Sequence, residues 1–407
     1  MSVLCTEQVI DRFELAPGFH ASAVACGLRK SGAPDLACVW TDAPCAAAGV
    51  FTTNRVQAAP VRVDRERLGA DGAFVRGVIA NAGCANAVTG ARGLADARTT
   101  ARLAAAAIGA DERELLVLST GVIGVALDMA CIERGIGALH APGAGRRAGD
   151  AARAITTTDT VAKVAAGAVT LAGGMVQVAG FAKGAGMIHP RMATMLAIVT
   201  TDARIEPARL TRALRAAADA SFHRISVDGD TSTNDTVLAL ASGASGVAVG
   251  DADDAAFGAA LADVCTSLAR QVARDGEGAT RLVELRVTGA ADVASARRVG
   301  DTVTTSPLVK TAIHGNDPNW GRILAAAGRS GVAVDPDLVR LWFGADDDVQ
   351  LLDRGMPVAF DRVRASALLA HDPAVIRLDL GQGDAGAVLW TCDLSADYVR
   401  INADYTT

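Results

Sequence analysis

Aromatic side chains are scarce in this chain of 407 residues, at 4% with only two tyrosines, although half of all residues are apolar. A core with so few rings must close on Ala, Val, Leu and Gly, through close backbone approach. Strong charge of one sign is lacking as well. The formal net charge is −6, and no run of Lys and Arg is long enough to follow a phosphate backbone, which argues against nucleic acid and for a small polar metabolite as partner. The eight cysteines (Cys5, Cys26, Cys38, Cys45, Cys84, Cys131, Cys265 and Cys392) contain no C-x-x-C pair and no His at zinc-site spacing. They are read as reduced thiols of a cytoplasmic protein. The first fifteen residues lack a basic start and an apolar h-region, so no secretory signal is expected. The stretch from Lys163 to Lys183 carries no charge between its ends, but glycines, Thr170 and Gln177 interrupt it around a Gly173-Gly174 pair. It reads as a buried β-hairpin, and no membrane span is expected.

Several familiar site motifs are missing too. There is no Gly-Lys pair for a phosphate loop and no G-x-S-x-G elbow, and the six histidines are spread without shared metal spacing. Residues 381–386 fit G-x-G-x-x-G, but strand-like runs at 375–380 and 387–392 flank them, so they read as a hairpin turn. Asp228, Asp230 and Asp235 have Asp-x-Asp spacing without the Gly and Glu of a calcium loop, and a hydrogen-bonded turn is the preferred reading. The expectation is therefore no metal and no bound cofactor.

The length suggests two or three compact regions. Helical patterns run over 94–108 with Gly109 as stop, 129–139, 207–220 behind Pro207, 254–273 and 293–300, with another opening at 317–322. Strand patterns cover 75–80, 115–118, 195–199 and 282–287, and the last quarter reads as mostly strands. No repeat of 20 to 50 residues appears. The fold class expected is α/β (α+β), a layered sandwich of mixed β-sheets and helices.

What is present is a flexible Lys183-Gly184-Ala185-Gly186 segment that leads to Ala193-Thr194 and an apolar strand. A Thr hydroxyl is a weak nucleophile, but an N-terminal Thr carries an α-amine of pKa about 7.7 to 8, which can serve as its own general base. To expose that amine, the hydroxyl must first attack the Ala193 carbonyl, and water must open the resulting ester. Both reactions need donors for an oxyanion. Thr120-Gly121, in a small-residue loop expected after the strand at 115–118, is the candidate.

These residues resemble the ornithine acetyltransferase family of the arginine pathway, also called bifunctional glutamate N-acetyltransferase and amino-acid acetyltransferase. The resemblance spans eight blocks in order: 49–54, 119–124, 157–160, 183–196, 228–235, 274–280, 308–322 and 401–407. It implies a fold that resembles, yet is connected differently from, that of N-terminal-nucleophile hydrolases. It also implies cleavage into an α chain (1–193) and a β chain (194–407) that assemble as an α2β2 heterotetramer. Thr194 would take acetyl from N-acetylornithine and pass it to glutamate, with Thr120 and Gly121 stabilising the oxyanion. Thr157, Lys183, Thr194, Glu277, Asn402 and Thr407 match the substrate-binding positions. Acetyl-CoA is an optional second donor, as a substrate. Cys84, Arg191 and His223 depart from the family pattern. The residues leave three alternatives open: an amidase or aminopeptidase using the same nucleophile, a paralogue with another acyl acceptor, and an unprocessed binding protein.

Overall fold

The computed structural model describes residues 4–139, 141, 143–189 and 195–404. They form two compact units, one of residues 4–223 and 230–272 and the other of 224–229 and 273–404. These boundaries differ from the division expected at 193/194, which concerns cleaved chains rather than compact units.

The larger unit is built on one mixed sheet of eight strands: β1 (His20–Val24), β2 (Leu36–Phe51), β3 (Ala73–Cys84), β4 (Leu115–Val122), β5 (Lys163–Leu171), β6 (Gly174–Lys183), β7 (Leu196–Thr201) and β8 (Thr236–Ala241). Their order is β4-β3-β2-β8-β7-β6-β5, with β1 also paired to β2. The irregularity between Trp40 and Cys45 bends the long β2, so its first half pairs with β1 and its second half with β8. β7 and β8 run parallel at the centre with every residue buried, which explains why both read as continuous apolar runs. The expected hairpin is present: β5 and β6 pair from Lys163↔Ala182 to Leu171↔Gly174.

Helices α1 (Glu7–Asp11), α2 (Ala59–Leu68), α3 (Gly90–Ile108), α4 (Met129–Ala138), α5 (Ala148–Ala154) and α6 (Pro207–Ala220) belong to this unit, and α7 (Asp254–Arg274) begins in it. Gly109, at φ +67°, ends α3, and Pro207 opens α6, as their sequence signals require. The helices α2 and α5 escape a periodicity reading because charged residues interrupt the apolar ones in the first and small residues fill the second. A core of Ile10, Val39, Leu118, Phe181, Ile198, Leu238 and Leu240, among others, contains one Phe among the fully buried side chains of this set.

The smaller unit has a six-stranded mixed sheet of β9 (Leu282–Ala290), β10 (Arg340–Phe343), β11 (Val349–Asp353), β12 (Met356–Pro357), β13 (Ala374–Asp379) and β14 (Ala385–Cys392), in the order β12-β11-β10-β13-β9-β14. Its helices are α8 (Val293–Thr304), α9 (Pro307–His314), α10 (Trp320–Gly328), α11 (Arg362–Leu369) and α12 (Ala396–Asp404). Four of these lie in the last quarter, which is therefore not mostly strands.

Two further expectations need correction. Residues 381–386 do not form a hairpin turn between paired neighbours, because β9 lies between β13 and β14. The chain crosses the end of β9 so closely that a Cβ on Gly383 would meet the Ala290 carbonyl oxygen at 2.5 Å. Alternation identifies strands but not their partners. Thr120-Gly121 is likewise no loop after a strand, since β4 continues to Val122 through Ala82↔Thr120 and Gly83↔Gly121 pairs with β3.

Truncating Leu240, fully buried at the centre of the larger sheet, opens a cavity in the core on the face it packs against. Leu240→Ala is expected to cost about 2 to 5 kcal/mol in denaturant unfolding, whereas Val363→Ala on the exposed face of α11 is expected to stay within about 0.5 kcal/mol.

Candidate active site

The parallel pairing of β3 with β4 sets the first part of the site. Gly121 has φ +130°, and a Cβ there would come 2.3 Å from the Gly83 carbonyl carbon, so both conformation and space demand glycine. Ser119 Oγ donates to Asn81 Oδ1 at 2.6 Å, and Asn234 Nδ2 donates to the carbonyls of Ala85 at 2.7 Å and Ser119 at 2.8 Å. Asn234 thereby ties the ends of β3 and β4 to the segment that enters β8. All three polar side chains are buried, and their bonds satisfy groups that would be costly to bury alone.

Thr120 is 3% exposed and Lys183, the last residue of β6, is 1% exposed. Lys183 Nζ donates to Thr120 Oγ1 at 3.3 Å. An ammonium buried this deeply needs a counter-charge. It comes from Asp159, whose carboxylate accepts from Lys163 Nζ at 2.5 Å, from Gly184 N–H at 2.6 Å and, on its other oxygen, from Thr157 N–H at 2.8 Å. The side chains of Asp159 and Lys163 are fully buried. Burial alone would raise the Asp159 carboxyl, but the ammoniums of Lys163 and Lys183 and the Gly184 amide outweigh it and hold the group well below the ordinary carboxylate range. One carboxylate thus holds Thr157, Lys163 and Gly184 and faces Lys183, which in turn reaches Thr120.

The segment after Lys183 returns to the sheet at Met195. Lys183 pairs with Leu196 in the β6–β7 ladder, Met195 N–H donates to Asp235 Oδ1 at 2.8 Å, and Thr236 N–H donates to the Met195 carbonyl at 3.0 Å. Met195 is 1% exposed. The strands that precede and follow the 184–195 connection therefore belong to one sheet.

Among the residues expected from the sequence, Thr120, Gly121, Thr157 and Lys183 come together in the larger unit. Glu277 and Asn402 meet in the smaller one, where Asn402 Nδ2 donates to Glu277 Oε2 at 2.8 Å. Asn402 sits within α12 and is not part of a frayed tail. Ala193, Thr194, Arg191 and Thr407 lie outside the described residues. Asp159 and Asp235 appear in the sequence only as carboxylates among hydroxyl residues, and Lys163 only as the border of an uncharged stretch. Their roles arise from pairings that residue type and spacing do not reveal. The three aspartates at 228, 230 and 235 do not converge: among the described residues no three His, Cys, Asp or Glu side chains form a metal-binding group. The eight cysteines form no disulfide, and no helix among the described residues is long and apolar enough to cross a membrane.

A family model described as the ArgJ family matches residues 20–407. The arginine biosynthesis bifunctional protein ArgJ of Symbiobacterium thermophilum is 48% identical over 395 residues, covering 96% of this chain and 97% of that protein. Among solved structures, the arginine biosynthesis bifunctional protein of Bacillus halodurans is 44% identical, with a TM-score of 0.48 over 51% of this chain and 97% of that one. An ornithine acetyltransferase complexed with ornithine from Mycobacterium tuberculosis is 41% identical, with a TM-score of 0.38 over 43% of this chain and 92% of that one.

Replacing Asp159 by Asn leaves Lys163 and Lys183 buried without their carboxylate. The expected loss is about 3 to 5 kcal/mol in denaturant unfolding at neutral pH. Because Asp159 is depressed below its unfolded value of about 3.9, its stabilisation is complete above that pH and disappears as pH falls through the lower folded value. The unfolding midpoint of the natural protein should therefore fall in that acid window with a step that Asp159→Asn lacks.

Proposed function

The chain belongs to the ArgJ family, and from that premise we propose that it cuts itself between Ala193 and Thr194 and uses Thr194 to carry acetyl from N-acetylornithine to glutamate. The observation that carries this reading is the buried Lys183–Thr120 pair, with Gly121 beside it, at the ends of strands in the sheet that also fixes Met195. Thr120 Oγ1 accepts from Lys183, which leaves the threonine's own O–H free to donate. Such a donor, beside an ammonium in a water-poor site, suits a developing oxyanion.

In the first reaction the Thr194 hydroxyl attacks the Ala193 carbonyl. The peptide C–N bond breaks as the ester C–O bond forms, the proton passes to the departing amine, and water then hydrolyses the ester. Cutting the 184–195 connection removes no rung of the β6–β7 ladder, so the two chains stay paired. In the second reaction the freed amine takes the hydroxyl proton while Thr194 attacks the acetyl carbonyl of N-acetylornithine. Ornithine leaves with that proton. The α-amine of glutamate then accepts the acetyl group and restores the hydroxyl. Thr157, Lys183, Glu277, Asn402 and Thr407 are read as the substrate-recognition groups, the Lys183 ammonium for a carboxylate and Glu277 for an ammonium. The assembly is read as α2β2. No metal or bound cofactor enters these steps, and acetyl-CoA is read as an optional second donor.

An amidase would use the same nucleophile with water as acceptor. Ornithine release from N-acetylornithine should rise at least ten-fold when glutamate is added, with N-acetylglutamate formed one for one. Equal release with and without glutamate would replace transfer by hydrolysis. Thr194→Ala is expected to remain a single uncut chain without activity.

A further inference from the structure

In the smaller unit, Glu277 occupies a tightly constrained four-residue turn. Ala279 N–H donates to the Gly276 carbonyl at 2.8 Å, which closes the turn, and Gly278 takes φ +71°. Positive φ at the third place of such a turn calls for glycine. Packing calls for glycine on both sides of Glu277: a Cβ on Gly276 would meet Cys392 Sγ at 2.7 Å, and one on Gly278 would meet the Tyr398 nitrogen at 2.4 Å. The turn therefore lies flush against the stretch that runs from the end of β14 into α12. Of the two residues at its tip, Glu277 alone carries a side chain.

That stretch holds the turn at three points. Asn402 Nδ2 donates to Glu277 Oε2 at 2.8 Å, Ser395 Oγ donates to the Gly278 carbonyl at 2.6 Å, and Asp393 takes the exit of the turn. Asp393 Oδ1 accepts from the N–H groups of Thr280 at 2.8 Å and Arg281 at 3.1 Å, while Oδ2 accepts from Thr280 Oγ1 at 2.6 Å and from His314 Nδ1 at 2.7 Å. The Asp393 side chain is fully buried, and His314 is the last residue of α9. Burial would raise this carboxyl, but the Thr280 hydroxyl, His314 and the Thr280 and Arg281 amides outweigh it and hold the group below the ordinary carboxylate range. A buried carboxylate with four donors is a rigid joint, because losing a donor leaves buried charge without a partner.

The substrate's chemistry gives that joint a use. N-acetylornithine has its α-amine acylated, so its one ammonium lies at the far end of the side chain. Recognition of that ammonium depends on the direction and distance of the facing carboxylate, and a Glu on a loose turn would lose much of the gain to the entropy of ordering it. We propose that Asp393 is the positioning residue of Glu277: by fixing Thr280 and Arg281 it sets the turn from which the Glu277 carboxylate selects the side-chain ammonium of the acetyl donor. This rests on the reading of Glu277 as the group that meets an ammonium. Thr280 is the link, because its amide and its hydroxyl take one oxygen of Asp393 each. Asp393 acts through the turn and touches no substrate.

The test compares kcat/KM for N-acetylornithine with kcat/KM for N-acetylnorvaline, which has the same carbon skeleton without the terminal amine, with glutamate as acceptor for both. Their ratio reads recognition of the ammonium, and any loss of folded enzyme cancels from it. In the full-length chain, Asp393→Asn is expected to lower the ratio about five-fold or more, and Thr280→Val, which keeps the side-chain shape but removes the hydroxyl donor, about three-fold or more. Thr280→Ser restores the donor and should stay within about two-fold of the natural ratio. Thr280→Val decides the matter if Asp393→Asn fails to fold. Should kcat/KM for the two donors fall equally in these variants, or not fall, Asp393 is a structural residue and the proposal is overturned. Glu277→Gln separates the two readings, with an expected drop in the ratio of about ten-fold or more. An unchanged ratio in that variant would mean that Glu277 does not meet the ammonium, and the recognition reading fails together with the proposal. A ratio lost in Glu277→Gln but kept in the Asp393 and Thr280 variants overturns the positioning role alone.

Discussion

The ladder between β6 and β7 is the constraint on which the rest depends. A protein that severs its own backbone must hold both new ends by something other than the bond it breaks. Here six antiparallel residue pairs, from Val178↔Thr201 to Lys183↔Leu196, join the strand before the proposed cut to the strand after it. β7 then lies parallel to β8 in the middle of the sheet, with all of its residues buried. The cut proposed at 193/194 would thus divide the chain without dividing the fold. It would create termini in a sheet whose register is already set.

That rigidity gives the buried charges their use. Lys183 is the last residue of β6, so its ammonium is placed by the sheet, and the Asp159 carboxylate supplies a counter-charge. The same carboxylate holds the Thr157 and Gly184 amides, so charge balance and backbone position are one interaction. On the other side of the site, Asn234 joins β3 and β4 to the entry of β8, and Asp235 follows it to hold Met195. Neighbouring residues at 234, 235 and 236 thus reach β4, the Met195 amide and the Met195 carbonyl. The density of Thr, Asn and Asp before β8 follows from this crowding of roles.

Local signals in the sequence were sufficient for several elements. Gly173-Gly174 marked the β5–β6 hairpin, Pro207 opened α6 at its true start, and Gly109 closed α3. Thr120 and Gly121 stood out as a pair, although they belong to β4 itself, because β3 carries the pairing four residues further, to Val122, than apolarity alone suggests. What stayed hidden was relational. Asp159 meets Lys183 across 24 positions and Asp235 meets Met195 across 40, so neither pairing leaves a local pattern. The strand between β13 and β14 comes from nearly a hundred residues earlier in the chain, and the glycine-rich run that joins them reads as a simple hairpin for that reason. Small side chains concealed α5, whose alanines and glycines suit a close-packed helix as well as a loop.

Intact-mass analysis of the protein mixed with N-acetylornithine alone, followed by mapping of the modified fragment, tests the central claim most directly. Two polypeptides are expected, the second beginning at Thr194 and heavier by one acetyl group, carried as a hydroxylamine-labile ester on the Thr194 hydroxyl and lost when glutamate is added. A single uncut chain, or an acetyl group carried on any other residue, would contradict it.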